Sequence, residues 1–271
     1  MNNNHRPVAL VTGASSGIGE VTAKHLSDAG FRVFATSRRG GGSNGLAYET
    51  LALDVTSDES VASAVAEVIK REGRIDLLVN NAGFNLSVGG AEESSIEQAK
   101  SLFDTNFFGM VRMTQAVIPY MRQQGVGRIV NIGSVTGFMP MPFMALYSAT
   151  KHALAGYSEA LDHELRDVGI RVSVIEPAFM KTLIDANSQA SDTPMTEYRE
   201  VRRAIDTRVK EMLAEAEDPL VVAEAVLNAA RSAHPKLRYT AGKAASRLRL
   251  MHTLLPANLL DTGLRKQLRL G

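Results

Sequence analysis

Tyr147 and Lys151 place a phenol and an amine four residues apart, and Ser134 supplies a hydroxyl thirteen positions before the phenol. Residues at i and i+4 share one helix face, so the Tyr147 oxygen and the Lys151 ammonium can point into one site. A nearby cation lowers the pKa of a phenol from about 10, toward the range useful for proton exchange at neutral pH. Many helices carry such a pair by chance, so the rest of the chain must decide whether it performs chemistry.

A glycine-rich turn follows the first predicted strand, 8–11, and precedes a predicted helix, 20–29. Glycines let a backbone turn tightly and approach a pyrophosphate, and a helix N-terminus offers free N–H groups and a positive dipole end. This order of strand, turn and helix predicts a dinucleotide site; the alternative is a plain tight turn. The turn reads Gly13-Ala14-Ser15-Ser16-Gly17-Ile18-Gly19.

The end of the second predicted strand, 32–36, is where the adenosine ribose of a dinucleotide is expected. An acidic side chain there would hydrogen-bond a free 2′-hydroxyl and repel a 2′-phosphate. The sequence instead has Ser37, Arg38 and Arg39, a hydroxyl and two guanidinium groups suited to a phosphate. We therefore predict NADP(H) in preference to NAD(H). In the alternative reading, both arginines are solvated loop charges.

Other polar residues follow the predicted strands 48–53, 75–79, 128–132 and 171–175. In open α/β sheets, ligands bind outside the carboxyl ends of the strands, so these residues are expected on one rim. They are Asp54, Asn80-Asn81-Ala82-Gly83, Ser134, and Pro177 with Thr182.

Asn106 lies within a mostly apolar helical stretch, 94–124. Asn is a poor interior helix residue because its side chain competes for backbone groups. Its presence there predicts a kink, a bound water or a part in catalysis.

Two connecting segments border the predicted rim. The loop 137–144 is rich in Pro, Met and Phe, which gives it a soft apolar surface. The segment 183–217 is polar, contains a predicted amphipathic helix, 191–214, and is interpreted as a lid. A Gly-rich stretch, 40–45, is interpreted as a flexible surface loop rather than a domain linker.

Composition limits the possible classes of protein. The 271 residues, 45% hydrophobic and 22% charged, predict one α/β domain with a substantial core. The net charge of +1 gives no reason to expect nucleic acid or an acidic partner. With no Cys there is no disulfide, thiolate metal site or cysteine nucleophile, which fits a reducing compartment. We expect a cytoplasmic protein without a bound metal.

The segment from Lys236 onward is basic, with eight Lys and Arg against one acidic residue, Asp261. A basic amphipathic tail, 241–271, can lie on an anionic membrane or dock on another subunit. We favour the alternative that its apolar stripe packs on this protein's own core and covers the substrate pocket. The stripe consists of Ala244, Leu248, Met251, Leu255 and Leu259.

Taken together, these residues resemble the classical short-chain dehydrogenases/reductases over nearly the whole chain. The matching positions are Thr12-Gly13-x3-Gly17-Ile18-Gly19, Asp54, Asn80-Asn81-Ala82-Gly83, Asn106, Ser134, Tyr147-x3-Lys151, and Pro177 with Thr182. The resemblance implies a doubly wound, seven-stranded parallel sheet of order 3-2-1-4-5-6-7 in a Rossmann-type domain. One departure is Ala178, where the family usually has Gly.

The resemblance assigns catalytic roles. Tyr147 is the acid/base for the substrate oxygen, and Ser134 hydrogen-bonds that oxygen. Lys151 binds the nicotinamide ribose and lowers the pKa of Tyr147, while Asn106 holds a water that links Lys151 to solvent. The resemblance places Gly13, Ser15, Ile18 and Gly19 around the pyrophosphate, Arg38 at the 2′-phosphate, Asp54 and Val55 at the adenine, Asn80 and Ala82 beside the ribose, and Thr182 at the carboxamide. The other predicted cofactor-binding residues are Ser16, Gly17, Ser37, Arg39, Gly83, Tyr147, Lys151 and Pro177.

Within that family, the chain is most similar to the hydroxysteroid and retinol dehydrogenase branch. This similarity implies a bulky apolar carbonyl or alcohol substrate and a homodimer or homotetramer built on the two long helices. Two alternatives are a catalytically inactive dinucleotide-binding regulator and a nucleotide-sugar epimerase or dehydratase. The presence of Asn106, Ser134, Tyr147 and Lys151 disfavours the first. The chain length and glycine spacing disfavour the second.

Overall fold

The computed structural model describes residues 6–40, 47–182 and 188–270. Two of the undescribed ranges fall on predicted segments: 41–46 includes most of the predicted Gly-rich loop, 40–45, and 183–187 is the start of the predicted lid. Seven strands form one parallel sheet, and the predicted order 3-2-1-4-5-6-7 is confirmed. The strands are β1 (Val8–Val11), β2 (Arg32–Ser37), β3 (Glu49–Ala52), β4 (Leu77–Asn80), β5 (Gly127–Ile132), β6 (Ile170–Pro177) and β7 (Arg238–Ala241).

Helices cover both faces of the sheet. The described α-helices are α1 (Gly17–Asp28), α2 (Asp58–Glu72), α3 (Ile96–Phe103), α4 (Gly109–Gln124), α5 (Ala145–Leu165), α6 (Arg199–Ala214), α7 (Leu220–Arg231), α8 (Gly242–Leu254) and α9 (Ala257–Gln267). Apolar residues of α1 and α7 pack on one face, and those of α2, α4 and α5 pack on the other. Because β1 and β4 are buried on both faces, their sequences are continuous apolar runs rather than alternating ones.

The register of the central strands brings their carboxyl ends together. Val11 of β1 is level with Val79 of β4, and Asn80 of β4 is level with Asn131 of β5. The glycine turn and the residues that follow β4 and β5 therefore occupy one rim of the sheet.

The predicted helix 94–124 is divided by a π-helical turn, Asp104–Phe108, which lies between α3 and α4. Asn106 is buried in this turn. Single π-turns inside α-helices occur often at functional sites. The sequence left open a kink, a bound water or a part in catalysis at Asn106, and the structure shows a π-helical turn there.

The predicted helix 191–214 is wrong at its start, because α6 begins only at Arg199. The residues before it are held in an irregular path by the fully buried Glu93. Its backbone carbonyl accepts from Thr193 N at 3.0 Å, and its carboxylate accepts from Met195 N at 2.7 Å and pairs with Arg202. These contacts span about a hundred residues of sequence, so local periodicity carries no sign of them.

The C-terminal segment forms two helices that are separated at Pro256, a residue that cannot continue the hydrogen bonding of α8. The predicted apolar stripe is correct only at Leu248, which packs with Val135 and Phe138. Ala245, rather than Ala244, is the buried alanine. The other predicted members, Met251, Leu255 and Leu259, are exposed. Among the described helices, none is both long and apolar enough to cross a membrane.

Helix α8 is fastened to the sheet through a buried carboxylate. Glu176, near the end of β6, is 1% exposed and pairs with Arg238 of β7 at 2.6 Å and with Arg249 of α8. The Arg249 guanidinium also lies 3.8 Å from the centre of the Phe138 ring. The tail is thus joined to the loop that follows Ser134 by charge and by an aromatic contact.

Candidate active site

One cavity lies at the carboxyl ends of the central strands, beside the first turns of α5. Its space amounts to about 810 Å³ when the open mouth is included. All four predicted catalytic residues line it, so the fold brings them together. The predicted residues in its wall are Ile18, Gly83, Asn106, Ser134, Tyr147, Lys151, Pro177 and Thr182.

Lys151 is buried beneath the cavity, one turn of α5 beyond Tyr147. Its ammonium donates to the Ile132 carbonyl oxygen at 2.9 Å and lies 5.6 Å from the centre of the Tyr147 ring. Burial lowers the pKa of Lys151 to about 8, because a desolvated ammonium is less stable than one in water. A helix face and a strand carbonyl therefore fix this amine beside the phenol.

Ser134 follows β5 and caps a short 3₁₀ turn, Val135–Gly137. Its Oγ accepts a hydrogen bond from Thr136 N at 3.1 Å. This bond uses the oxygen as an acceptor and leaves the hydroxyl hydrogen for donation. A donor held in this way can stabilise negative charge on a substrate oxygen.

Asn106 ties three elements together. Its Oδ1 accepts from Phe84 N at 3.0 Å, and its Nδ2 donates to Phe84 O at 2.9 Å and to the Thr150 hydroxyl at 3.5 Å. The side chain thereby holds the loop after β4 against α5. The predicted water-holding role of Asn106 stays a prediction.

The glycine turn has the shape that a pyrophosphate requires. Gly13 and Gly17 adopt positive φ angles of 65° and 60°. A side chain on Gly13 would lie 2.7 Å from Ala82 Cα, and one on Gly19 would lie 2.4 Å from the Gly13 carbonyl oxygen. The first N–H groups of α1 lack partners within the helix, as at every helix start. These features fit a bound dinucleotide phosphate.

Residues from two other parts of the predicted cofactor site lie next to the glycine turn. Ala14 N donates to Thr36 O at 2.8 Å, which joins the turn to the end of β2. At the other end, a Cβ on Gly17 would lie 3.3 Å from Thr182 Cβ. The remaining residues of the turn, Ser15 and Ser16, are exposed and half-buried respectively.

Arg38 and Arg39 are exposed just after β2 and form no ion pair with another described residue. Ser37 donates its hydroxyl hydrogen to Gly40 O at 3.3 Å, so a phosphate contact from Ser37 would have to replace that bond. Asp54 accepts from Thr56 N at 2.9 Å and from the Thr56 hydroxyl at 2.7 Å. These two bonds lower the pKa of Asp54 below its ordinary value.

Val55 is buried against Gly109, where an added Cβ would lie 2.7 Å from Val55 Cγ2. Val55, a predicted adenine contact, thus packs against the first residue of α4, directly after the π-turn.

The paired asparagines after β4 have different surroundings. Asn80 Nδ2 donates to Asn131 Oδ1 at 2.9 Å and to the Thr114 hydroxyl at 3.2 Å, so its side chain supports the sheet. Asn81 Nδ2 donates to the carbonyls of Thr12 and Gly13 at 3.0 and 2.9 Å and so holds the glycine turn. The sequence-based prediction names Asn80 as a cofactor contact, but the side chain that holds the glycine turn is that of Asn81.

The apolar loop contributes less to the cavity than its composition suggests. Met141 and Met144 line the cavity, whereas Phe138 packs under α8 and Phe143 packs toward α6. Several residues that line the cavity were not predicted from the sequence. The only feature that could have indicated them is that they lie next to recognised motifs. These lining residues are Phe84, Asn85, Ile132, Gly133, Val135, Thr136, Ala178, Phe179 and Met180.

The family model for short chain dehydrogenases matches residues 7–193. This chain belongs to the short-chain dehydrogenase/reductase family. It is therefore an oxidoreductase of the class that interconverts carbonyls and alcohols, as the resemblance implied.

The relatives of this chain include two proteins that are named after the compounds they act on. The chain is 43% identical over 186 residues to the 3-ketodihydrosphingosine reductase of Bacteroides thetaiotaomicron, which covers 68% of this chain and 68% of that protein. It is 36% identical over 255 residues to the 17-beta-hydroxysteroid dehydrogenase type 1 of Homo sapiens, covering 86% and 77% of the two chains.

Three solved structures share most or nearly all of this fold. A short-chain dehydrogenase from Streptomyces avermitilis is 33% identical with a TM-score of 0.82, covering 98% of this chain and 97% of that one. A 3-ketoacyl-(acyl-carrier-protein) reductase from Brucella melitensis, complexed with NADH, is 27% identical with a TM-score of 0.74, covering 86% and 96%. A serine dehydrogenase complexed with NADP+ is 28% identical with the same TM-score, covering 86% and 93%.

Proposed function

We propose that this protein is an NADPH-dependent reductase that converts the carbonyl of a bulky apolar substrate to an alcohol. The observation that carries the proposal is that Ser134, Tyr147 and Lys151 line one cavity, most of whose other lining side chains are apolar. The shape of the glycine turn and its junction with the end of β2 support a dinucleotide that extends away from that cavity.

The chain's own groups have separate tasks in this reaction. When bound, the reduced nicotinamide supplies the hydride that the carbonyl carbon accepts. Tyr147 transfers its phenolic proton to the carbonyl oxygen as negative charge develops there, and Ser134 donates a hydrogen bond to the same oxygen. Lys151 holds the ribose and stabilises the resulting phenolate. A water held beside Asn106 then returns a proton from solvent through Lys151.

The preference for NADPH follows from charge. Arg38 and Arg39 stand where an acidic residue would select NADH, and both guanidinium groups are exposed and lack ion-pair partners among the described residues. The charge of Arg38 acts on the Asp54 carboxylate, and a 2′-phosphate would add a negative charge that pairs with the guanidinium directly. Arg38 is the residue that we assign to this contact. The two complexes cited above support a nicotinamide dinucleotide in general.

The apolar character of the substrate follows from the cavity wall. Its described residues include six large apolar side chains: Phe84, Val135, Met141, Met144, Phe179 and Met180. Met side chains adapt to irregular shapes, which suits a large and flexible ligand. The names of two relatives, a 3-ketodihydrosphingosine reductase and a hydroxysteroid dehydrogenase, are consistent with such a substrate.

Two features around the site complete the proposal. Residues 188–217, held by Glu93, act as part of a lid over the cavity. The protein forms a homodimer or homotetramer through the faces of α3, α4 and α5, where Ile96 of α3 and Phe108 of the π-turn are exposed apolar residues. Replacing Phe108 with Glu should shift the mass measured by analytical ultracentrifugation toward the monomer, whereas the same change at the exposed Leu250 should leave it unchanged.

The decisive experiment measures NADPH consumption with apolar ketones for the wild type and for Tyr147→Phe. We expect turnover by the wild type and a loss of at least about a hundredfold in kcat for the variant, since it lacks the proton donor. Cofactor binding, measured by fluorescence titration, should be retained. A Tyr147→Phe enzyme with wild-type kcat would contradict the proposal.

A further inference from the structure

Two polar atoms in the cavity wall are buried and have no hydrogen-bond partner among the residues that the structure describes. They are Asn85 Oδ1 and the Thr136 hydroxyl oxygen, on residues that are 7% and 3% exposed. Both residues line the same cavity as Ser134 and Tyr147, among mainly apolar neighbours. Buried polar groups in proteins are almost always paired, so each unpaired one requires an explanation.

Asn85 Oδ1 makes no hydrogen bond to another described residue, so the fold does not depend on such a bond. The loop that carries it is held by backbone contacts: Asn85 O accepts from Gln189 N at 3.0 Å, and Ser87 N donates to Gln189 O at 2.8 Å. The preceding residue, Phe84, is fixed by the side chain of Asn106. An apolar side chain at position 85 would satisfy the same backbone contacts.

The hydroxyl of Thr136 is similarly free of a structural task. Thr136 is placed by its backbone N–H, which donates to Ser134 Oγ at 3.1 Å. The following residue, Gly137, lies against α5, where an added Cβ would be 2.9 Å from the Lys151 carbonyl oxygen. The 3₁₀ turn therefore stays beside Ser134 whatever the side chain at 136 offers. Val at this position would have nearly the same shape without the unpaired oxygen.

We propose that Asn85 and Thr136 form a polar subsite that binds a second functional group of the substrate. This inference rests on the proposed reductase function and narrows its substrate class. Asn85 Oδ1 only accepts, so its partner carries an O–H or N–H. The Thr136 hydroxyl donates or accepts. The ligand is therefore an apolar ketone that also carries a hydroxyl or amino group, rather than a plain hydrocarbon ketone.

The test compares three substrates that differ only in one hydroxyl. The plain ketone is a linear methyl ketone of twelve carbons. In one analogue the hydroxyl is on the chain carbon directly next to the carbonyl, and in the other it is on the following chain carbon. The readout is the ratio of kcat/KM for each hydroxyketone to kcat/KM for the plain ketone, with NADPH as the cofactor. We expect a ratio of about 10 to 100 in favour of at least one hydroxyketone, because the plain ketone leaves the subsite unpaired.

The variants are Asn85→Leu and Thr136→Val, which remove the unpaired oxygens and keep the approximate side-chain volumes. Each should lower the ratio by about tenfold, and the double variant should bring it close to about one. Met144→Leu alters the same wall without altering a hydrogen-bonding group, so it should keep the wild-type ratio. This comparison separates a lost hydrogen bond from a general change in packing.

The outcomes distinguish the two proposals. If the wild type reduces all three ketones with equal efficiency, or if the ratio is the same in both variants as in the wild type, the subsite is wrong and the reductase function stands. If a bound water satisfies Asn85 and Thr136, the ratio stays near one, which also contradicts the subsite. If the wild type reduces none of the ketones, the proposed function fails and the subsite fails with it.

Discussion

The Lys151 ammonium lies 5.6 Å from the centre of the Tyr147 ring, held there by a strand carbonyl rather than by a carboxylate. An acidic partner would neutralise the ammonium and weaken its effect on the phenol. The hydrogen bond to Ile132 O fixes the amine while preserving its full positive charge. The cost of this arrangement is a desolvated cation inside the protein.

That cost predicts the pH dependence of stability. The pKa of Lys151 is about 8 in the folded protein and near 10.5 in an unfolded chain, so the unfolded state binds the proton more tightly. Below about pH 8 the folded, cofactor-free protein carries the whole penalty, roughly 3 kcal/mol. The penalty disappears as the pH rises from about 8 to about 10.5, so this residue makes the protein more stable with increasing pH in that window.

Lys151→Met should therefore raise the free energy of unfolding by about 1–3 kcal/mol near pH 7, after the loss of the hydrogen bond to Ile132 O is subtracted. The gain should shrink at higher pH, and turnover should fall by at least about a hundredfold. Urea denaturation of the cofactor-free protein at two pH values measures the first effect. Lys100→Met, at an exposed position of α3, is the control. An equal gain at both pH values would refute the role of desolvation.

Arg38→Asp should reverse the cofactor preference. The exposed guanidinium would be replaced by a carboxylate that repels a 2′-phosphate and accepts from a free 2′-hydroxyl. We expect the ratio of kcat/KM for NADPH to that for NADH to fall by about 10- to 100-fold. The same change at the neighbouring Arg39 should have a smaller effect. An unaltered ratio in Arg38→Asp would remove Arg38 from the phosphate site.

Arg249→Met should loosen α8 from the cavity wall. It removes one of the two cations paired with the buried Glu176 and the contact over the Phe138 ring. Because Arg238 remains, we expect a loss of about 1–2 kcal/mol in unfolding free energy and a rise in KM larger than any change in kcat. The control is Arg247→Met, an exposed residue of the same helix with no ion pair in the described structure. Equal KM values for the two variants would contradict the coupling.

Glu93→Gln should release the segment before α6. The neutral amide still accepts hydrogen bonds but leaves Arg202 without a counter-charge beside it. We expect faster proteolytic cleavage within residues 188–198 and a KM increase of about 3- to 10-fold. Glu97→Gln, at an exposed position nearby, should leave both quantities unchanged. If cleavage is no faster in Glu93→Gln than in Glu97→Gln, the carboxylate does not hold the segment.

The sequence predicted the sheet and the site best where residues close in sequence determine the structure. The apolar run at 8–11 indicated a buried parallel strand, and 128–132 was predicted as a further strand of the sheet. The rim that carries Gly13 and Ser134, with Tyr147 beside it, could therefore be predicted from the sequence. The path before α6 was missed because Glu93, about a hundred residues away, determines it. Exposure of Leu255 and Leu259 was missed because helical spacing does not reveal whether a partner surface exists.

The pairing of Glu176 constrains the order in which a newly made chain can complete its sheet. This carboxylate belongs to β6, yet both of its cationic partners, Arg238 and Arg249, are synthesised at least sixty residues later. Until the ribosome has released them, the end of β6 cannot be buried without an uncompensated charge. The glycine turn and the first strands can form early in translation. The cavity wall beside Ser134 becomes rigid only near the end of translation.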